Sequence, residues 1–307
     1  MNPGEGSSGE PKRLLIGVDG GGTGSRARIT NLEGCVLGAG GAEPAAVRLG
    51  IDRSLAAVES AALAAAADAG LPPDVLSKMD AVVGLAGVGR KGVLEALVVR
   101  PHPFRSVRYM NDATIACLGA HQGRDGGIVI VGTGSVGLAV LGEREVRIGG
   151  YGFPVSDEGS GADLGLNAIR LALRAHDGRI PATRLTRAIM ARFGDDPFEV
   201  VAWMDDASAT DFARFAPLAM DCAEAGDSVG RQIVMKAAVD IGGLVQRLIE
   251  CGAPRVALLG GLAPRLELWL PEDIRGSIVP AEGDAIDGAL CVARAGRMAE
   301  PSSHRQA

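Results

Sequence analysis

The chain has 307 residues, an apolar share of 47%, a charged share of 22% and a formal net charge of −6. These values fit a globular protein of about two domains and argue against a nucleic-acid-binding surface. Five dispersed cysteines without a C-x-x-C pair and four histidines without ligand spacing offer no zinc site, and fit reduced thiols in a cytoplasmic protein.

Residues 1–11 are rich in Gly, Ser, Pro and Glu and are predicted to form a disordered tail. The basic pair Lys12-Arg13 precedes too short an apolar run for a signal peptide, and the apolar stretch 127–142 falls short of the ~20 residues a membrane helix needs. Leu14 to Val18 is a short apolar run broken only by Gly17, and it reads as a buried strand. It delivers Asp19 into the glycine turn Gly20-Gly21-Gly22-Thr23-Gly24. Asp19 therefore stands where a carboxylate needs a counter-ion, and a cation with phosphate oxygens on the turn would satisfy both. Arg26 to Thr30 alternates as a strand, Asn31 to Gly34 turns, and Cys35 to Gly38 begins a third strand, giving an antiparallel meander. An Ala-rich helix over 51–69 follows, stopped by Gly70 and Pro72-Pro73. Then come a strand at 81–85, a helix at about 91–99, a strand at 107–110 and a helix at 113–120.

The pattern then restarts. A strand at 128–131 enters Gly132-Thr133-Gly134-Ser135, with strands at 138–141 and 145–148 behind it. The stretch 160–251 reads as helical, with breaks expected at Gly178, Gly194, Pro197, Pro217 and Gly226. A buried strand at 256–259 ends in Gly260-Gly261, and a short helix, a strand at 277–279 and a final helix over about 285–298 complete the chain. A domain-scale repeat of this kind sets one Gly/Thr hairpin at the head of each half, an arrangement able to grip a phosphate chain from two sides.

Two motifs imitate a dinucleotide fingerprint, Gly22-Thr23-Gly24-Ser25-Arg26-Ala27 and Gly132-Thr133-Gly134-Ser135-Val136-Gly137. Both lead into strands, whereas that fingerprint needs a helix whose N-terminus faces the pyrophosphate. No G-K-[ST] closes either run, which excludes a P-loop. Asp112 follows a strand and opens a helix, so it reads either as a helix cap or as a carboxylate placed to take a proton from an attacking hydroxyl. Asp157 or Glu158 is expected to cap the helix starting near Ser160, or to accept hydroxyl hydrogen bonds from a polyol beside Tyr151. Gly260-Gly261 reads as close packing or as room for a ligand against backbone.

These segments resemble the N-acetylglucosamine kinases of the sugar kinase, Hsp70 and actin superfamily, in the branch holding the acyl-CoA reductase activating ATPases. The resemblance rests on Asp19-Gly20-Gly21-Gly22-Thr23, Asn111-Asp112, Gly132-Thr133-Gly134-Ser135, Gly149-Gly150-Tyr151-Gly152, Asp157-Glu158-Gly159-Ser160 and Gly260-Gly261 in that order. His102-Pro103-Phe104, Leu118-Gly119-Ala120-His121 and Phe153-Pro154-Val155-Ser156-Asp157 carry a nearer likeness to bacterial glucosamine kinases. The resemblance implies an α/β fold of two ribonuclease-H-like, actin-like ATPase domains with a cleft between them, at about 12–121 and 122–307. The second would hold a helical insertion at about 160–252, with the last helix packing back on the first.

It further implies transfer from Mg-ATP to the 6-hydroxyl of glucosamine, with N-acetylglucosamine as the alternative substrate, in a cytoplasmic homodimer without nucleic-acid or membrane partners. Asp19 would hold the magnesium. Gly20, Gly21, Gly22, Thr23, Gly132, Thr133 and Gly134 would hold the phosphates, and Gly260 and Gly261 the adenosine. Asp112 would be the base. Asn111, Ser135, Val136, Gly150, Tyr151, Gly152 and Asp157 would line the sugar site. Two positions depart from the family: Ala46 stands where an Asn bonds a sugar hydroxyl, and Tyr151 where a Trp is usual. An activator ATPase of a radical enzyme would need a cysteine beside Gly132 to Ser135, which this chain lacks, and a non-catalytic sugar sensor would not need both Asp19 and Asp112.

Overall fold

The computed structural model describes residues 13–296, so the expected tail at 1–11 and the far end of the last helix, to Met298, lie outside the described residues. The chain divides into two compact units, one formed by the chain to Arg124 together with the chain from Glu282, the other by Asp125–Ala281.

The first unit is built on five strands, β1 (Leu14–Gly20), β2 (Ser25–Thr30), β3 (Val36–Ala42), β4 (Met79–Leu85) and β5 (Ser106–Asn111), in the order β3-β2-β1-β4-β5. β1 to β3 form the expected meander, while β4 and β5 run parallel to β1. Alternation along β1 and β4 decides what each face buries. Ile16, Val18, Ala81 and Val83 join the core under α1 (Ile51–Asp68), whereas Leu15 and Val82 pack with Ile115 of α3 (Asp112–Ala120) and Ile286, Ala289 and Leu290 of α12 (Ala285–Arg294). Gly17 interrupts the apolar run because a Cβ there would stand 3.0 Å from the Ile286 carbonyl oxygen. The stretch from Glu282, which carries α12, belongs to the first unit, whose N-terminal part runs to Arg124.

The second unit repeats the topology with β6 (Gly126–Val131), β7 (Ser135–Leu141), β8 (Arg144–Gly149) and β9 (Val256–Leu259), in the order β8-β7-β6-β9. The strand expected at 277–279 shrinks to a single parallel bridge between Ile278 and Val256. Between β8 and β9 lie six helices: α4 (Gly161–His176), α5 (Arg184–Ala191), α6 (Pro197–Asp206), α7 (Ala209–Ala213), α8 (Ala216–Glu224) and α9 (Ser228–Glu250).

The breaks expected at Pro197 and Pro217 occur, each proline sitting in the first turn of the helix that follows the break, α6 and α8, where no backbone N–H is required of it. A further break, not expected, falls at Ala207-Ser208, where Ser208 and Asp211 form a capping box. The helix expected over 91–99 contracts to α2 (Val93–Val98), because Gly92 in the left-handed region precedes it. The short helix expected after Gly261 is two, α10 (Ala263–Glu267) and α11 (Glu272–Arg275), and a 3-10 helix the pattern does not show is added at Pro73–Lys78. No helix among the described residues is long and apolar enough to cross a membrane.

Candidate active site

In the first unit, the residues of interest collect at the carboxyl edge of the sheet. Gly20 pairs in register with Leu85, and Leu85 with Asn111, so the β1 turn and the β5–α3 junction lie two strands apart, about 10 Å. Open α/β sheets hold their reacting groups at this edge. The turn is rigid. The Gly21 amide donates to the Gly24 carbonyl at 3.0 Å, and the Gly21 carbonyl accepts from Ala45 at 3.1 Å, leaving Gly22 and Thr23 as an exposed crown. Gly20 is a packing requirement, since a Cβ there would run into the Leu85 side chain and Ala45.

Asp19 already has a counter-ion. Arg26, its cross-strand partner on β2, donates to Asp19 Oδ2 at 2.8 Å, and this hydrogen bond raises the guanidinium's affinity for its proton. The need for a counter-ion therefore does not by itself require a metal at Asp19. Arg26 was legible in principle, because a tight hairpin between two alternating strands sets residues 19 and 26 opposite each other.

Asn111, rather than Asp112, caps α3: its Oδ1 accepts from the Ala113 amide at 2.9 Å. Asp112 is the first helical residue, and its Oδ1 accepts from the same amide at 2.9 Å. Ala46 is buried at 2% exposure, and its carbonyl accepts from Ser54 Oγ at 3.0 Å.

The second unit brings its own set together around the β6–β7 turn. The Gly132 amide donates to the Gly134 carbonyl at 2.9 Å, as in the first turn, and the carbonyls of Gly132 and Thr133 accept from the Gly161 and Ala162 amides at 2.8 and 3.1 Å. The turn is thus seated on the first turn of α4, whose cap is Ser160 and not Asp157 or Glu158. Asp157 instead folds back with φ of 69°. Its Oδ1 accepts from the Gly152 amide at 3.1 Å, and its Oδ2 lies over Gly134, where a Cβ would come within 2.4 Å. Burial pushes the Asp157 carboxyl up, as does Glu158, while the Gly152 amide opposes both.

Ser135 is 4% exposed and donates to the Glu158 carbonyl at 2.7 Å, so its hydroxyl ties the two loops together. A Cβ at Gly150, which has φ of 70°, would strike Val136, so the Tyr151 loop lies directly on β7. Tyr151 itself is 79% exposed, with the Arg147 guanidinium 5.8 Å from its ring. Gly260 has φ of 100°, and a Cβ there would meet the Val131 carbonyl, so close packing accounts for this glycine. Gly261 is exposed with open space beside it, at the same sheet edge as Gly132.

The same sequence of turns and loops marks a class of ATP-using proteins. The profile of the BadF/BadG/BcrA/BcrD ATPase family matches residues 16–293, and the chain belongs to that family. Glucosamine kinase GspK of Vibrio cholerae serotype O1 is 39% identical over 278 residues, covering 91% of this chain and 95% of that protein. A solved structure from Chromobacterium violaceum, provisionally assigned as an N-acetylglucosamine kinase, superposes with a TM-score of 0.83 at 36% identity, over 92% of this chain and 99% of that one. A ROK hexokinase from Thermus thermophilus shares the fold alone, with a TM-score of 0.52 at 20% identity over 91% of this chain and 98% of that one. The architecture is that of the actin-like ATPases, with two ribonuclease-H-like domains.

Proposed function

We propose that this chain is an ATP-dependent amino-sugar kinase that phosphorylates the 6-hydroxyl of glucosamine. The observation that carries the reading is the register of the first sheet, which sets Asp112 and the Gly20–Thr23 turn at one edge, beside likeness to a glucosamine kinase over most of the chain. In this reading Asp112 accepts the proton of the attacking hydroxyl. Phosphoryl transfer then needs little beyond positioning and charge compensation. In the first unit, the crown of Gly22 and Thr23 binds phosphate oxygens, held by Gly20 and Gly21 beneath it. In the second unit, Gly132, Thr133 and Gly134 do the same, and Gly261, with Gly260 below it, lies against the adenosine. Asn111, Val136, Gly150, Tyr151, Gly152 and Asp157 line the sugar, with Ser135 holding the Asp157–Glu158 turn in place.

Magnesium fits the donor set. It retains several waters and takes one or two carboxylates plus phosphate oxygens, so the single carboxylate of Asp19 is sufficient, although no cluster of three metal-binding side chains occurs among the described residues. Bound there, the ion would neutralise charge on the transferring phosphoryl group. Asp19 would then exchange Arg26 for the hydrated cation, an exposed ion pair worth about 1 kcal/mol or less.

Likeness to N-acetylglucosamine kinases makes the acetylated sugar the second candidate. Cytoplasmic residence and a homodimer belong to the same proposal. The test is a coupled ADP-release assay over amino sugars and hexoses, repeated with Asp112→Ala. Glucosamine-stimulated turnover is expected to fall by several orders of magnitude in the variant, with ATP binding retained. Near-normal turnover in that variant would remove Asp112 from the role of base.

A further inference from the structure

One cation at the phosphate turn has no role in this scheme. Arg48 stands on the 3-10 segment Val47–Leu49 in the connection from β3 to α1. That connection is pinned to the sheet edge, the Ala45 amide donating to the Gly21 carbonyl at 3.1 Å and the Val47 amide to the Ala86 carbonyl at 3.0 Å. Val47 is buried below the segment, and Arg48 is exposed above it. Its side chain runs back over the glycine turn: Nη2 lies 3.7 Å from where a Cβ on Gly22 would stand. The space left by the missing side chain of residue 22 is therefore bounded by a guanidinium.

Charge balance gives this placement its meaning. Arg26 is committed to Asp19 at 2.8 Å. Among the described residues, no ion pair engages Arg48. Asp112 must be anionic to act as a base, and a phosphoryl group arriving beside it brings further negative charge. A planar guanidinium with forked donors is the side chain best suited to two phosphoryl oxygens at once. An exposed arginine left to solvent is the ordinary alternative, but a pinned loop, a glycine facing it and an unspent charge at the phosphate turn are not needed for that.

We propose that Arg48 is a catalytic residue that binds the phosphoryl group in transfer, donating two N–H bonds to its oxygens above Gly22 and Thr23. This rests on the kinase reading above. As the bond from the sugar oxygen to phosphorus forms, the bond from phosphorus to the leaving oxygen of ADP breaks, and that oxygen keeps the electron pair. The hydroxyl proton passes to Asp112. Arg48 makes no covalent bond and compensates charge on the oxygens of the moving group.

The test uses the full chain with Arg48→Ala and Arg48→Lys, and Arg187→Ala on α5 as a control of equal charge change. With glucosamine and Mg-ATP, kcat is expected to fall 10²–10³-fold in Arg48→Ala, with about tenfold recovery in Arg48→Lys and little change in the glucosamine KM. Titration calorimetry without sugar supplies the second readout. Mg-ADP should bind Arg48→Ala within twofold of the parent, whereas the Mg complex of the β,γ-imido analogue of ATP should weaken about tenfold. A kcat within threefold of the parent would overturn the proposal, and so would equal weakening of both nucleotides, which marks a structural role in the turn. If Arg48→Ala does not fold, the same split is read on Arg48→Lys. Should the parent show no sugar-dependent ADP release, the kinase reading fails, while the difference between the two nucleotides still decides whether Arg48 meets the terminal phosphate.

Discussion

Replacing Gly288 by Ala tests how the first unit is closed. Gly288 on α12 faces Gly119 on α3, and a Cβ at 288 would lie 1.9 Å from the Ile115 carbonyl oxygen and 2.5 Å from the Gly119 amide. Both obstacles are backbone atoms and cannot swing aside. Reaching ordinary contact requires the two helices to part by roughly 1.5 Å, which opens the layer of Leu15, Val82, Ile115, Ile286 and Leu290. Ala gains about 1 kcal/mol over Gly in helix propensity, and overpacking of a tight interface costs about 1–3 kcal/mol or more. The net expectation is a loss of about 1–2 kcal/mol, or roughly 3–6 °C in melting temperature for a unit of this size.

Gly243 on α9 supplies the internal standard. It is exposed, with nothing within 4 Å of a Cβ, so Gly243→Ala should raise stability by about 0.5–1 kcal/mol. Differential scanning calorimetry of the two variants against the parent measures both. If Gly288→Ala melts at or above the parent temperature, the backbone approach of α3 and α12 is not as described.

Two further outcomes are expected. Asp80 is 3% exposed; although burial alone would push its carboxyl up, hydrogen bonds from Arg105, Ser106 and Arg13 hold it down to about 2. Its ionised form therefore contributes stability that is complete above about pH 4 and is lost as pH falls toward 2. Because the arginines are about half exposed, the contribution is on the order of 1–2 kcal/mol. The gap in urea midpoint between the parent and Asp80→Asn should narrow across that interval, and a constant gap would contradict the ion-pair account. Asp157→Ala would remove the carboxylate that accepts from the Gly152 amide; the KM for glucosamine should rise about tenfold with the KM for ATP little changed, and the reverse pattern would separate Asp157 from the sugar.

Much of the frame was legible because hydrophobic period and glycine punctuation coincide. The two meanders, the parallel strands after them and the helical stretch all follow from runs of apolar residues bounded by turns. The prolines marked breaks by opening the next helix, Pro197 behind the cap Asp196 and Pro217 behind Phe215, whereas the extra break at Ala207-Ser208 carries no proline and is set by the capping box of Ser208 and Asp211. The strand at 277–279 failed because β propensity does not supply a partner, and the sheet offers it one pairing, at Val256. At the site, the carriers of the turns were readable, but their satisfaction was not. Asp19 looked as though it lacked a counter-ion until cross-strand register put Arg26 against it, and Arg48, 22 residues further on, reaches the turn only through a loop pinned at Gly21 and Ala86.

The route of the chain through its two units sets the order in which they can be completed during synthesis. A ribosome delivers β1 to α3 first, and until Ile286 and Leu290 are made the face of that sheet carrying Leu15 and Val82 is covered only in part, by Ile115 of α3. Through the translation of about 160 intervening residues, the nascent first unit carries a partly open apolar face, while the second unit can close by itself. The last helix is therefore a late seal, and truncation before Glu282 would release a second unit with its sheet complete beside a first unit lacking one wall.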